Sequence, residues 1–245
     1  VFMAKKKKNS AQKSSRRTTK NDQLNLDEVY RQLRTNIEFS QMDNELRVLN
    51  VLSTNPNEGK SSVSSNLAKV FADKYENVLL IDCDLRNPSL HKMLRTSNGQ
   101  GLTNLLTHYR KGQALLECEE MQELEIDDQT TLYFLSAGSK VPNPTEIISS
   151  RRFAGLVESA REQFDQVIID CPPAFAVSDG VPISNLCDGT LFVLSAKDTD
   201  KNDAREAVED LRRNGANLIG TVMTKVPGFM SRHYYGYGYG ERNER

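Results

Sequence analysis

Residues 48–62 read VLNVLSTNPNEGKSS, in which a short apolar strand runs straight into a turn that ends in Gly59, Lys60 and Ser61. This arrangement is typical of a loop that binds phosphate groups ahead of a helix. We expect backbone N–H groups to surround a polyphosphate, Lys60 to reach its β and γ oxygens, and the Ser61 hydroxyl to ligate Mg²⁺. The match to G-x-x-x-x-G-K-[ST] is incomplete, because Thr54 replaces the first glycine. Taken alone, the motif leaves an ordinary helix start as an alternative.

The composition suits one α/β domain with a sizeable core and additional tails, since 38% of the 245 residues are hydrophobic and 27% are charged. The sequence has no run of about 18 apolar residues and no visible signal peptide, so we expect no transmembrane helix. The four cysteines are scattered, with no C-x-x-C pair and no histidine at metal spacing. We therefore expect reduced thiols in the cytoplasm and no zinc site.

The formal net charge of −1 hides an uneven distribution of charge. Residues 1–20 hold eight lysines or arginines and no acidic residue, whereas the rest of the chain holds 24 basic and 33 acidic residues. Residues 1–24 lack hydrophobic periodicity, so we expect a disordered basic leader. Such a leader favours the anionic inner face of a membrane, where each basic residue contributes about 1 kcal/mol. A solubilising tail is one alternative, and a nucleic acid partner is the less favoured one.

An amphipathic helix is predicted ahead of the first strand. Asn25 and Glu28 have the spacing of a capping box at its start. The apolar residues that recur at helical spacing are Leu26, Val29, Leu33 and Ile37. The outer face carries Glu28, Arg31 and Arg34, three residues apart each time, which by itself is typical of a solvated charged face.

Beyond the loop, the pattern alternates between helices and buried strands. Helices are predicted over residues 62–74, 144–164 and 201–214, the last ended by Gly215. Apolar runs predict strands over residues 77–85, 131–136, 167–170, 190–195 and 217–223. The alternation predicts a doubly wound α/β domain over residues 25–227, with a mostly parallel sheet and ligands at the carboxyl ends of its strands.

Acidic residues stand where two of these strands end. Asp170 ends the strand VIID, where a P-loop enzyme presents a second group that organises magnesium. In LLIDCDLR, Asp82, Asp84 and Arg86 alternate, and a persisting strand would put all three on one face. Magnesium prefers such oxygen ligands. A base here suits transfer to a tyrosine hydroxyl, which has a pKa of about 10 and is almost wholly neutral at pH 7.

The last stretch of the chain, RHYYGYGYGERNER, interleaves glycines with tyrosines. Such a segment cannot bury a core, so residues 228–245 are predicted to form a flexible tail. Its four central tyrosines are Tyr234, Tyr235, Tyr237 and Tyr239.

The loop, the DCDLR segment, the VIIDCPP segment and the tyrosine-rich tail, in this order, resemble the bacterial tyrosine kinases (BY-kinases) of capsule and exopolysaccharide synthesis. In that family the first three are called Walker A, Walker A′ and Walker B. The resemblance runs from about Leu26 to the C-terminus. Residues 142–146, PNPTE, are similar to the family's P-N-P-S-E. Glu28, Arg31 and Arg34 are similar to its E-x-x-R-x-x-R oligomerisation helix, which favours a subunit contact over a solvated stripe.

The resemblance implies a protein-tyrosine kinase with a P-loop architecture like that of MinD and ParA, using ATP and Mg²⁺. The implied catalytic residues are Lys60, Asp82, Asp84 and Asp170, with one of the Walker A′ aspartates as the base. The implied magnesium-organising residues are Ser61, Asp82 and Asp170. The implied ATP-binding residues are Asn57, Glu58, Gly59, Lys60, Ser61, Ser62, Arg86 and Thr224.

The resemblance also implies partners. The tail tyrosines would be phosphorylated in trans within a homo-oligomeric ring, and a cognate tyrosine phosphatase would reverse the reaction. The kinase would lie in the cytoplasm at the inner face of the membrane, activated there by the cytoplasmic end of a separate polysaccharide co-polymerase.

Two departures from the family pattern concern the binding of ATP. Asn57 replaces a glycine that reaches positive φ more easily, and Thr224 with Lys225 replaces an Asn-Arg pair near the base.

Two other functions compete with the kinase. A positioning ATPase of the MinD and ParA type shares the fold, but such proteins carry a lysine five residues before the loop lysine, where this chain has Asn55. A catalytically idle scaffold is disfavoured because no charged site residue is missing. The tyrosine-rich tail favours the kinase.

Overall fold

The structure is a computed structural model that describes residues 20–40, 45–174 and 180–227, with only the backbone of residues 20–25. The tail tyrosines Tyr234, Tyr235, Tyr237 and Tyr239 and almost all of the basic leader lie outside the described residues. Within the described part, no helix is long and apolar enough to cross a membrane.

A seven-stranded sheet forms the centre of the described domain, in the order β3-β4-β2-β5-β1-β6-β7. The strands are β1 (Val48–Ser53), β2 (Val78–Asp82), β3 (Gln122–Glu125), β4 (Thr131–Leu135), β5 (Gln166–Asp170), β6 (Gly189–Ser195) and β7 (Leu218–Thr224). All neighbouring strands are parallel except β3 and β4. The predicted α/β class with a mostly parallel sheet is confirmed.

Eight α-helices surround the sheet in the described residues. They are α1 (Lys20–Phe39), α2 (Lys60–Ala72), α3 (Leu90–Leu94), α4 (Leu102–His108), α5 (Pro144–Ile148), α6 (Arg151–Gln163), α7 (Gly180–Ser184) and α8 (Lys201–Arg213). The start predicted at Asn25 is wrong, because α1 already begins at Lys20. The single helix predicted over residues 144–164 is also wrong. It is divided at Ser150, which has extended backbone angles and accepts a hydrogen bond from the Phe153 N–H at 3.1 Å.

Two hydrophobic cores lie on the two faces of the sheet, because side chains alternate along each buried strand. On one face, α1 and α2 cover Leu49 and Val51 of β1, and Phe71 is fully buried there. On the other face, α4, α6 and α8 cover Val48 and Leu52, and Phe153 is fully buried. Burial of each such side chain contributes roughly 1.5–3 kcal/mol. The strands that carry the predicted site residues are therefore held firmly from both sides.

Candidate functional site

The predicted site residues meet at the carboxyl edge of the three central strands. In the sheet register, Asp82 at the end of β2 lies opposite Asp170 at the end of β5, and Asp170 also pairs with Val51 of β1. The loop that follows β1 therefore lies beside both strand ends. Parallel strands present their ligand sites at this edge.

The phosphate loop depends on two residues with left-handed backbone angles. Asn57 has φ 65° and Gly59 has φ 98°. Asparagine tolerates this region better than most residues, so Asn57 adopts the positive φ that the expected glycine would adopt. Gly59 has a second requirement, since a Cβ atom there would lie 3.2 Å from the Thr224 methyl group. The next residue, Lys60, begins α2.

The buried carboxylate of Asp170 accepts hydrogen bonds from the two loop residues predicted to contact phosphate and magnesium, Lys60 and Ser61. Asp170 is fully buried, and its Oδ2 atom accepts hydrogen bonds from Lys60 Nζ at 2.9 Å and from Ser61 Oγ at 2.7 Å. Its other oxygen accepts one from Ser64 Oγ at 2.8 Å. Burial alone would lower the pKa of Lys60, but Asp170, then Asp84 and Asp82, raise it above the usual lysine value. Lys60 is therefore positively charged.

Ser64 was not predicted as a site residue. Its position one helical turn after Lys60 places both side chains on the same face of α2, and this spacing was the only available signal. Its hydroxyl satisfies the Asp170 oxygen that Lys60 and Ser61 leave free.

Asp82 fixes the turn that follows β2. Its two oxygens accept hydrogen bonds from the Asp84 N–H at 3.1 Å and the Leu90 N–H at 3.2 Å. The strand ends at Asp82, so the predicted alternation of Asp82, Asp84 and Arg86 along one persisting strand is wrong. Burial is the main cause that raises the pKa of Asp82 to about 7, and the charge of the neighbouring Asp170 is the second cause.

Asp84 and Arg86 follow this turn and face the loop. Asp84 is 8% exposed, its Oδ2 atom lies 3.9 Å from Lys60 Nζ, and its Oδ1 atom accepts the Asn87 N–H at 3.1 Å. Burial raises the pKa of Asp84 above the usual aspartate value. Arg86 donates to Thr145 Oγ1 at 3.0 Å, which ties the Walker A′ segment to the PNPTE segment.

A cavity of about 590 Å³ opens beside Lys60. The predicted residues that line it are Asn57, Gly59, Lys60, Ser61, Ser62, Asp84 and Arg86. Met93, Pro172 and Pro173 also line it and were not predicted as site residues, although the two prolines belong to the VIIDCPP segment. The remaining predicted site residues, Glu58, Asp82, Asp170 and Thr224, do not line it. The Glu58 side chain is almost fully buried behind the loop.

The groups around this cavity fit a magnesium–polyphosphate ligand. The Ser61 hydroxyl and the aspartate carboxylates are the hard oxygen donors that Mg²⁺ requires, and Lys60 supplies positive charge for phosphate oxygens. Among the described residues, no group of three or more His, Cys, Asp or Glu side chains could hold a metal by itself.

The two arginines of the charged stripe of α1 (Glu28, Arg31 and Arg34) contact the C-terminal end of α2. Arg31 contacts Asp73 at 3.4 Å, and Arg34 donates to the Val70 carbonyl oxygen. The Arg34 side chain is only 16% exposed, whereas those of Glu28 and Arg31 are 74% and 48% exposed. Glu28 and Arg31 are therefore accessible at the surface, while Arg34 is engaged within the chain.

The chain is similar in sequence and in structure to several known proteins. Residues 46–184 match a family described as AAA domain. Tyrosine-protein kinase YwqD of Bacillus subtilis is 37% identical over 217 residues, covering 88% of this chain and 87% of YwqD. The crystal structure of the chimerical protein CapA2B2 has a TM-score of 0.73 at 31% identity, covering 82% of this chain and 84% of that one. MinD of Pyrococcus horikoshii, with a TM-score of 0.56 at 18% identity over 72% of this chain and 69% of its own, shares the fold.

Proposed function

The chain belongs to the bacterial tyrosine-protein kinases, and from that premise we propose that it transfers the γ-phosphoryl group of ATP to tyrosines of its own C-terminal tail. The acceptors are Tyr234, Tyr235, Tyr237 and Tyr239, offered in trans to a neighbouring copy. The observation that carries the proposal is the contact of Asp170 with Lys60 and Ser61 beside a cavity lined by Asp84. This arrangement supports the proposal because it brings together a cation, a hydroxyl of the kind that ligates Mg²⁺, and a carboxylate suited to act as base.

ATP is proposed to bind with its phosphates in the loop. The amides of residues 57–62 surround the phosphates, and Lys60 exchanges its 2.9 Å contact with Asp170 for phosphate oxygens. When bound, Mg²⁺ neutralises phosphate charge and aligns the transferred group. Ser61 and Asp170 are the residues to hold it. Asp82 supports them from behind, because both of its oxygens already accept backbone hydrogen bonds.

Asp84 is the proposed base of the two Walker A′ aspartates. It lines the cavity and keeps one oxygen directed toward Lys60, whereas Asp82 is fully buried. The tyrosine oxygen forms a bond to the γ-phosphorus while the bond from that phosphorus to the β–γ bridging oxygen breaks. ADP leaves with the bonding electron pair, and the phenolic proton passes to Asp84.

The proposed assembly is a ring in which Glu28 and Arg31 contact a neighbouring subunit. The exposure of both side chains supports this role. The cytoplasmic end of a membrane activator stimulates transfer, and a cognate phosphatase reverses it. The basic leader holds the protein at the anionic inner face of the membrane. Cycles of phosphorylation in the ring would regulate synthesis and export of capsular polysaccharide or exopolysaccharide.

Incubation of the purified protein with radiolabelled ATP and Mg²⁺ tests the proposal, with and without the cytoplasmic segment of the activator. We expect phosphotyrosine that maps to the tail. Phosphate release without phosphotyrosine would instead indicate a positioning ATPase of the MinD and ParA type. Absence of both products would indicate a scaffold.

A further inference from the structure

The side of the phosphate loop that faces away from the cavity is held by the residues at the end of β7. The Thr224 hydroxyl donates a hydrogen bond to the Glu58 carbonyl oxygen, and the Lys225 ammonium donates one to the Asn57 carbonyl oxygen. Lys225 adopts φ 52°, a left-handed angle that turns the chain at the strand end. Thus two consecutive carbonyl groups of the loop are bound by two consecutive residues at the end of β7.

The turn between β6 and α8 anchors these contacts. Asp198 accepts from Lys225 Nζ at 2.6 Å and from Ser195 Oγ at 2.9 Å, and these hydrogen bonds lower the pKa of Asp198. In the same turn, the Thr199 hydroxyl donates to Glu58 Oε1 at 2.6 Å, while the other Glu58 oxygen accepts the Asn55 N–H at 2.9 Å. The buried Glu58 side chain thereby joins the loop to this turn instead of facing a phosphate.

The binding of these carbonyl groups determines where the loop amides point. In a trans peptide the C=O and the following N–H point in opposite directions, and the described chain contains no cis peptide. With the Asn57 and Glu58 carbonyl groups turned toward Lys225 and Thr224, the N–H groups of Glu58 and Gly59 point the other way. Asn57 and Gly59 line the cavity, and successive N–H groups directed into it would form an anion-binding concavity.

We propose that Thr224 and Lys225 are positioning residues that hold the phosphate loop in its anion-binding shape, in place of the adenine contact expected for Thr224. The inference rests on ATP binding as proposed above. Neither residue lines the cavity beside Lys60; both line a neighbouring groove on the other side of Gly59. The two residues therefore act on the ligand through the loop.

Calorimetric binding of ATP and of inorganic tripolyphosphate, each with Mg²⁺, distinguishes the two roles because tripolyphosphate has no base. Thr224→Val removes the hydroxyl and keeps the shape, and Lys225→Met removes the ammonium group and keeps the length. The hydrogen bond that Lys225→Met removes comes from a charged group, and its loss corresponds to roughly tenfold weaker binding or more. For each variant, we expect the affinities for ATP and for tripolyphosphate to fall by about the same factor.

Lys197→Met is the matched control, since it removes the same charge from an exposed position in the same turn without touching the loop contacts described. Thr224→Ser keeps the hydroxyl. Both should bind ATP and tripolyphosphate like the wild type. Far-UV circular dichroism checks the fold, and the exposed Lys225 variant carries the test if Thr224→Val unfolds.

Two results would overturn the positioning role alone. In the first, the variants lose affinity for ATP but bind tripolyphosphate normally, which would establish an adenine contact. In the second, wild-type protein binds both ligands and the variants bind them equally well. A wild-type protein that bound neither ligand would overturn the proposed function, and the positioning role with it.

Discussion

Replacement of Lys60 by methionine should abolish autophosphorylation and also destabilise the protein. Lys60 Nζ lies 2.9 Å from an Asp170 carboxylate that is 0% exposed, so the variant leaves a buried charge without its cation. Removal of one partner of a buried ion pair typically costs about 3–5 kcal/mol. The hydroxyls of Ser61 and Ser64 remain hydrogen bonded to Asp170, and methionine retains the apolar contacts of the lysine stem. We therefore expect a loss at the lower end, about 3 kcal/mol.

The size of this loss should depend on pH because Lys60 also lowers the pKa of Asp82. The folded-state pKa of Asp82, about 7, lies above its unfolded value. The free energy of unfolding therefore decreases as pH rises from the unfolded pKa to about 7. In the variant, the folded-state pKa of Asp82 is even higher because Lys60 no longer lowers it, so the decrease continues above pH 7. The stability difference between wild type and variant should thus be larger at pH 8 than at pH 6.

Urea unfolding followed by far-UV circular dichroism measures the difference, since the chain has no tryptophan to serve as a fluorescent probe. For a domain of this size, 3 kcal/mol corresponds to a decrease in Tm of roughly 6–12 °C. Lys69→Met, on the same helix but partly exposed, is the matched control and should cost less than about 1 kcal/mol. Equal stability of wild type and Lys60→Met at both pH values would refute the reasoning, and retained phosphotyrosine would refute the site.

Three further predictions concern the acceptors, the stripe and the base. Replacement of all four tail tyrosines by phenylalanine should remove most phosphotyrosine on immunoblots and leave ATP affinity unchanged by calorimetry; an undiminished blot would contradict the acceptor assignment. Arg31→Ala should shift the protein toward monomers in light scattering with less than about 1 kcal/mol lost in urea. Arg34→Ala should cost about 1–3 kcal/mol because the Val70 carbonyl loses its donor, and the reverse ranking in stability would be inconsistent with the contacts. Because burial raises the pKa of Asp84, the kinase rate should decline on acidification at a pH above the usual aspartate range, and a rate that stays flat down to pH 4 would exclude Asp84 as the base.

The central strands were predictable from the sequence because strands buried on both faces appear as continuous apolar runs. Strand β3 was missed, since its sequence QELE is polar and it lies at the edge of the sheet. The short helices α3 and α4 were missed for a related reason, because five to seven residues give too little periodicity. The division between α5 and α6 depends on one serine cap within a helical pattern.

The candidate site was predictable where position along a strand determines position in space. Lys60 and Asp84 come after strand ends and Asp170 is the last residue of β5, and the parallel sheet brings such ends together. The direction in which Glu58, Asp82 and Thr224 point depends on backbone turns and on contacts with residues more than a hundred positions away, such as the bond from Thr199 to Glu58. Motif spacing contains no information about such contacts.

Helix α2 connects the phosphate loop to the charged stripe of α1, which were recognised as two separate sequence motifs. Its first turn contains Lys60 and Ser61, and its last turn receives Arg34 and lies next to Asp73, the partner of Arg31. At 1.5 Å per residue the helix is a rod of about 20 Å. If a subunit contact at Arg31 shifts the helix, thermodynamic reciprocity requires phosphate binding at the other end to alter the affinity between subunits by the same factor.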